Sequence, residues 1–403
     1  MKIAVIGDVH LGKAQKGLAE REDDIYDLFL RICKEVTDKK VDVVCILGDL
    51  FDSSHPPVKA ISVALNAFEN FAKNNIKVII IKGNHDIPAI KTRMCPIDIT
   101  KMNDIITELS TENPICSVNS NSTIVNICGV EYHPPEKRQS LIKTLENIRE
   151  KISPSSLVKD NNEKNLKGLN ILLLHQGLKE ISPAEEEISV TDIPDIFKFV
   201  FVGHLHLRME KDFGRKKVIL PGSIEIGTVG DVVKQMHNKA KVIILDTEAE
   251  SDNKIEKIEI DLSRKFIQKS IRSSAIDFYL KELANELKNS AVNGKLPWVY
   301  LEIEDDAKIG NSLINEKIAR VTEGNVLFVQ KEINSEEMNE MKKKTEISFK
   351  DINIREIIKG YFPKYAEDVY ELYEKRRDIK SAKEVMNKIY DKFKIMYKAS
   401  KIT

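Results

Sequence analysis

Five short, almost wholly apolar runs punctuate the first half of the chain, at residues 3–6, 43–47, 78–81, 171–174 and 199–202. Runs of this length rich in Ile, Val and Leu read as strands buried on both faces. The segments between them have another period. Ile25, Leu28, Phe29, Ile32 and Val36 follow the i, i+3, i+4, i+7, i+11 spacing of a one-sided helix. Ile61, Leu65, Phe68 and Phe71 make a second stripe, and Leu141, Leu145, Ile148 and Ile152 a third. Buried strands alternating with one-sided helices predict a layered α/β fold.

Beyond residue 206 the pattern changes. Short strands at 218–220, 241–245 and 255–260 follow one another without long helices and are expected to finish a sheet packed on the first half. Residues 153–168 are polar and read as a surface loop. A helix over 275–287, strands at 298–303 and 326–329 and a helix over 314–321 predict a small α+β domain. Residues 334–344 are charged and poor in apolar side chains, a linker or exposed helix. The domain expectation is therefore 1–262, 263–345 and 346–403.

The last segment is distinct. It holds six of the ten tyrosines, and from Lys350 onward 14 Lys/Arg stand against 9 Asp/Glu. Tyr365, Val369, Leu372 and Tyr373 make one helical stripe; Ala382, Val385, Met386, Ile389, Phe393 and Met396 make another. A helix pair this short buries little by itself. It either packs on the body or docks on a partner, and the charged segment before it favours a partner.

Composition narrows the function classes. At 403 residues the chain has room for two or three domains. Lys+Arg and Asp+Glu both number 63, so no global basic charge attracts nucleic acid. Any DNA contact must come from a local basic surface or from metals acting on phosphate. Five cysteines without a CxxC pair read as reduced thiols of an intracellular, cytoplasmic protein. The chain opens directly on a strand and a motif, which gives no expectation of a signal peptide. No apolar run approaches the ~20 residues of a membrane span.

The chemistry lies where the apolar runs end. They lead into Asp8-Val9-His10, Gly48-Asp49-Leu50-Phe51-Asp52, Gly83-Asn84-His85-Asp86, His175 and Gly203-His204-Leu205-His206. Taken singly, each block is an ordinary turn or surface pair. Together, each after a strand, they can be delivered to one place, because ligands gather at the carboxyl ends of strands in an α/β sheet. Oxygen and imidazole nitrogen at that density suit a two-metal hydrolase. Asp49 is the candidate bridging carboxylate. Asp8 and His10, two apart, share a face of a regular strand. Asn84 offers a carbonyl oxygen, and His175, His204 and His206 offer imidazoles. Mixed N and O ligation suits Mn, Fe or Zn better than Mg. Gly48, Gly83 and Gly203 allow tight turns where the chain leaves the sheet.

This ordered set resembles the calcineurin-like metallophosphoesterase superfamily over roughly residues 1–230. The resemblance implies a layered β-sandwich flanked by helices and a dinuclear centre that hydrolyses phosphate esters. Asp8-Val9-His10-Leu11-Gly12, Gly48-Asp49-Leu50-Phe51, Leu174-His175-Gln176-Gly177 and Pro221-Gly222-Ser223 resemble more narrowly the double-strand-break repair nucleases of the meiotic recombination eleven family, SbcD in bacteria. That resemblance implies one ion on Asp8, His10, Asp49 and His206, a second on Asp49, Asn84, His175 and His204, and His85 as the catalytic histidine. Asp86 is expected to orient His85. It further implies two Mn2+ (Fe2+ or Zn2+ as substitutes), 3′-5′ exonuclease and single-strand endonuclease action on DNA, a homodimer, and an SMC-like ABC ATPase of the Rad-fifty type gripped by the C-terminal helices. The domain at 263–345 would cap the site. One departure stands out: many members carry a histidine, implicated in exonuclease action, where this chain has Asp52. His55 is the candidate substitute, and Arg208 a candidate phosphate contact. The competing classes are a small-molecule phosphodiesterase with the same metal core and a non-catalytic repair scaffold.

Overall fold

The computed structural model describes residues 1–89, 94–100, 104–120, 123–152, 167–183, 187–226, 239–249 and 254–334, with positions 367, 370 and 371. The chain forms two compact units. One comprises Met1–Ile267, Ala284–Val299 and Thr322–Val329; the other comprises Gln268–Leu283, Tyr300–Val321 and Gln330–Thr403. The expected C-terminal helix pair lies almost wholly outside the described residues, as does most of the expected loop at 153–168; Lys167 and Gly168 open a strand.

Two six-stranded sheets build the first unit. β1 (Lys2–Ile6), β2 (Val43–Ile46), β3 (Lys77–Ile80) and β4 (Ile106–Glu108) run parallel in the first sheet. β5 (Ile115–Asn119), β6 (Thr123–Gly129), β7 (Lys167–His175), β8 (Phe199–Gly203), β9 (Met209–Phe213) and β10 (Lys216–Leu220) make the second, in the order β5–β6–β7–β8–β10–β9. β11 (Lys239–Asp246) and β12 (Ile255–Asp261) return to the first sheet, β11 antiparallel beside β1. Helices α1 (Ala19–Asp38), α2 (Val58–Lys73), α3 (Pro96–Thr100) and α4 (Arg138–Ile152) lie between these strands in the chain.

The apolar runs are continuous because both faces of each strand are buried. Ile3, Val5, Val43 and Cys45 meet Ile127, Ile171, Leu173 and Phe201 in one core fed by both sheets. The alternate residues of the second sheet, Leu172, Leu174, Val200 and Val202, pack with Leu141, Leu145 and Ile148 of α4. Sequence periodicity missed β4, β5, β6 and β9. They are short or half-exposed, and β5 in particular mixes Ile115 and Val118 with Ser117 and Asn119. The strands after residue 206 do not stay together as expected: β9 and β10 complete the second sheet, whereas β11 and β12 extend the first.

β13 (Phe266–Arg272), β14 (Trp298–Glu304) and β15 (Val329–Asn334) form a three-stranded sheet, with α5 (Ile276–Leu287) and α6 (Asn311–Thr322) between them in the chain. The strand expected at 326–329 is displaced to β15. Its apolar residues do other work: Phe328 stacks on Trp298, and the Leu327 amide donates to the Pro297 carbonyl at 2.7 Å.

Candidate metal centre

The topology brings the polar blocks to one rim. Asp8, Asp49 and Asn84-His85 follow the carboxyl ends of the parallel strands β1, β2 and β3. His175 is the last residue of β7, and His204 and His206 follow β8, parallel to it. The loops are stitched by backbone bonds: the Val9 and His10 amides both donate to the Asp49 carbonyl, at 3.0 and 2.9 Å.

Two clusters result, with Asp49 between them. In the first, His10 Nε2 and His206 Nε2 stand 2.9 Å apart, and Asp8, His10 and His206 each turn a ligand atom toward a common point. In the second, Asn84 Oδ1 lies 3.0 Å from both His175 Nε2 and His204 Nδ1. Asp49 Oδ2 is 3.8 Å from His10 Nε2 and 3.3 Å from His175 Nε2. Two ligands at ~2.1 Å from one ion, at right angles, stand about 3 Å apart. The donor sets therefore have the spacing that metal ligation requires. A second observation agrees: Asp8 Oδ2 is buried with no hydrogen-bond partner, a costly state for a carboxylate oxygen unless a cation meets it.

The far ring nitrogens fix which nitrogen is available. His175 Nδ1 lies 2.7 Å from the Leu47 carbonyl, so Nδ1 donates there and Nε2 is the nitrogen turned to Asp49 and Asn84. His85 Nδ1 donates to the Asp52 carbonyl at 2.7 Å, and the His85 amide donates to Asp49 Oδ1 at 2.9 Å. Asp86 does not take the expected part of orienting His85. Its carboxylate accepts the Phe51 and Gly83 amides, at 3.1 and 2.9 Å, and so ties the β2 and β3 loops together.

The backbone is strained where the ligands sit. His10, Asp49, His204 and His206 hold φ values of 55°, 46°, 80° and 54°, the left-handed region that non-glycine residues rarely adopt. Gly83 and Gly203 serve close approach rather than turning. A Cβ on Gly203 would stand 2.4 Å from the Leu47 carbonyl oxygen and 3.0 Å from His175 Nδ1.

Charge is coupled across the site. Burial pushes the Asp49 carboxyl up, but His175, His10 and His85 outweigh it and hold Asp49 far below the ordinary carboxylate range. Burial pulls His175 down, and Asp49 and then Asp8 overcome it, raising the imidazole to about 10. Asp86 is pushed up to about 7, by burial first and by the Asp49 charge second.

Other candidates fall outside the clusters. His55 is exposed, with Nδ1 3.1 Å from Ser54 Oγ. The Arg208 guanidinium donates to the Lys239 carbonyl. Sequence reasoning missed Glu187. It is buried, accepts Tyr132 Oη, Gln176 Nε2 and the Gly177 amide at 2.7, 2.9 and 2.6 Å, and stands 3.7 Å from His204 Nε2. It lies 12 residues beyond His175 in no motif, so periodicity carried no signal for it.

The family model described as calcineurin-like phosphoesterase matches residues 1–208. The chain is 30% identical over 398 residues to the DNA double-strand break repair protein Mre11 of Methanocaldococcus jannaschii, covering 97% of this chain and 99% of that protein. The protein of the same name from Methanococcus maripaludis is 31% identical over 335 residues, 80% of this chain and 85% of its own length. Among the described residues no helix is long and apolar enough to cross a membrane. With the motif blocks gathered around Asp49 and the family model covering β1 to β8, the chain belongs to the calcineurin-like phosphoesterase family and is related to the archaeal Mre11 proteins.

Proposed function

We propose that this protein is a manganese-dependent DNA nuclease, a 3′-5′ exonuclease and single-strand endonuclease that processes ends in double-strand-break repair. The observation that carries the reading is the near full-length relation to an Mre11 protein combined with a clustered set of metal-ligand side chains. Asp8, His10, Asp49 and His206 hold one ion; Asp49, Asn84, His175 and His204 hold the other. Ions held there would supply Lewis-acid polarisation of the phosphate and an activated water.

The protein groups do the rest. Asp49 serves both clusters and sets their spacing. His85, with Nδ1 committed to the Asp52 carbonyl, uses Nε2 to stabilise the transition state or to give a proton to the leaving 3′-oxygen. The neutral total charge leaves phosphate attraction to the metals and to local cations. Residues 1–262 are the nuclease core, 263–345 cap the site, and 346–403 grip the coiled coil of an SMC-like ABC ATPase of the Rad-fifty type. The protein works as a cytoplasmic, nucleoid-associated homodimer.

The test is cleavage of end-labelled linear DNA with added manganese, wild type beside His85→Ala. Manganese-dependent cleavage, reduced about 10²–10⁴-fold in the variant with metal content intact, is expected. Hydrolysis of bis-p-nitrophenyl phosphate without cleavage of any DNA would overturn the DNA reading in favour of a small-molecule phosphodiesterase. A folded protein that takes up no metal would overturn the enzyme reading altogether.

A further inference from the structure

Asp52, the residue that departs from the family pattern, is built into the site from both its backbone and its side chain. Its amide donates to the Leu11 carbonyl at 3.0 Å, and Leu11 pairs with Phe51 in an isolated parallel bridge. Its carbonyl accepts His85 Nδ1 at 2.7 Å. Its carboxylate Oδ1 stands 3.3 Å from His10 Nδ1 and 3.1 Å from Lys13 Nζ. His10 Nδ1 is buried and faces that carboxylate oxygen, its ion-pair partner. The other ring nitrogen of His10, Nε2, is the one turned toward His206 Nε2 at 2.9 Å.

An imidazole serves a metal best when its far nitrogen carries the proton and faces a fixed acceptor. The acceptor selects the tautomer, restrains the ring and makes the ligating nitrogen more basic. His175 has such an acceptor in the Leu47 carbonyl. We propose that Asp52 is the positioning residue for the His10 ligand: its carboxylate holds the proton of His10 on Nδ1 and leaves Nε2 as the donor to the ion shared with Asp8 and His206. This inference rests on the two-ion reading of the site. The carboxylate acts through His10 on one ion, because His175 and His204 both face Asn84 Oδ1 and His175 leans on the Leu47 carbonyl, while the backbone carbonyl of Asp52 keeps His85 in place whatever side chain stands there.

That separation makes the idea testable. Metal-free full-length protein is titrated with Mn2+ by calorimetry, wild type beside Asp52→Ala and Asp52→Asn. Wild type should take up two ions in two resolvable events. In Asp52→Ala one event should weaken by roughly tenfold to a hundredfold, the effect usual for loss of a partner behind a ligating histidine, and the other should not move. Asp52→Asn, which keeps an acceptor oxygen without the charge, should fall between. The ring-nitrogen NMR signals of Zn2+-loaded protein give a readout that a merely structural role would leave alone: His10 should be protonated on Nδ1 in wild type and lose that single assignment in Asp52→Ala. Two unchanged events, or equal weakening of both, would overturn the role of Asp52 while leaving the two-ion site standing. A wild type that binds fewer than two ions would overturn the two-ion reading and this inference with it. The thermal midpoint of each metal-free variant checks that a loss of affinity is not a loss of fold.

Discussion

A methyl group on Gly83 would stand 2.1 Å from Asp49 Oδ1 and 2.4 Å from the Asp49 amide nitrogen, distances at which something must move. What lies there is the carboxylate that serves both clusters and the amide of a residue already at φ 46°. Gly83→Ala is therefore expected to damage both metal sites at once, with about a tenfold or greater loss of Mn2+ content after gel filtration and a matching loss of hydrolysis. Gly168→Ala is the control. A Cβ there meets nothing within 4 Å, and the stability change should stay within about 0.5 kcal/mol. If Gly83→Ala retains two ions and full activity, the close packing of the β2 and β3 loops does not constrain Asp49. The glycine before three of the blocks was legible in the sequence, but its cause was not. Adjacent to a motif, a glycine suggests a turn; only the fold reveals that Gly83 and Gly203 make room for Asp49, Leu47 and His175.

At the scale of elements, the strands and helices that carry the site were legible because each has one dominant period. What escaped was the way elements far apart in sequence are tied by polar groups. Arg21 of α1 is fully buried. Its guanidinium donates to Asp24 Oδ2 at 2.9 Å, lies 3.2 Å from Glu225 Oε1, and sits 5.7 Å from the ring centroid of Trp298. Arg264 Nε reaches the same Asp24 Oδ2 at 2.7 Å, and Lys295 Nζ lies 3.1 Å from Oδ1. In a chain that is 31% charged, periodicity cannot tell which charges turn inward. Glu225 belongs to the loop after β10, where the Ile224 amide donates to the Asp8 carbonyl at 3.1 Å, so this network braces the rim of the site. Removing one partner strands the others: Arg21→Ala should cost about 3–5 kcal/mol in denaturant unfolding, followed by the fluorescence of Trp298, the only tryptophan. The pH dependence has a definite sign. Burial pushes Asp24 up, but Arg264, Lys295 and Arg21 outweigh it and leave its carboxyl below the ordinary 3.8. A depressed carboxylate contributes stability that is full above the unfolded value and is lost as pH falls through the folded one. The thermal midpoint of Asp24→Asn should therefore lie below wild type at neutral pH, and the gap should narrow only below 3.8. A gap that is constant down to the acid limit would mean that the Asp24 charge contributes nothing.

At the scale of the whole molecule, the charge balance of 63 against 63 sets the terms on which nucleic acid can be engaged. Without a net positive field, the chain as a whole has no long-range attraction for a polyanion, and on the proposed reading recognition would fall to the metal rim and to local cations. The C-terminal 346–403 segment is where the sequence departs from that balance, with 14 cations to 9 anions from Lys350 onward and two apolar stripes at helical spacing. A helix pair of that length, the expectation these stripes carry, would gain most of its stability from the surface it docks against. If that surface belongs to a coiled-coil partner, a chain ending at residue 345 should fold, keep its two ions and cut single-stranded DNA with manganese at close to the wild-type rate. Its co-elution with the ATPase should be lost. The discriminating measurement is the thermal midpoint of the truncated chain in the presence and absence of Mn2+. A folded core should gain about 2.7 kcal/mol per bound ion at a metal concentration one hundred times Kd, as in wild type. If truncation abolishes that gain along with the melting transition, residues 346–403 belong to the body, and the proposal that they dock on a partner fails.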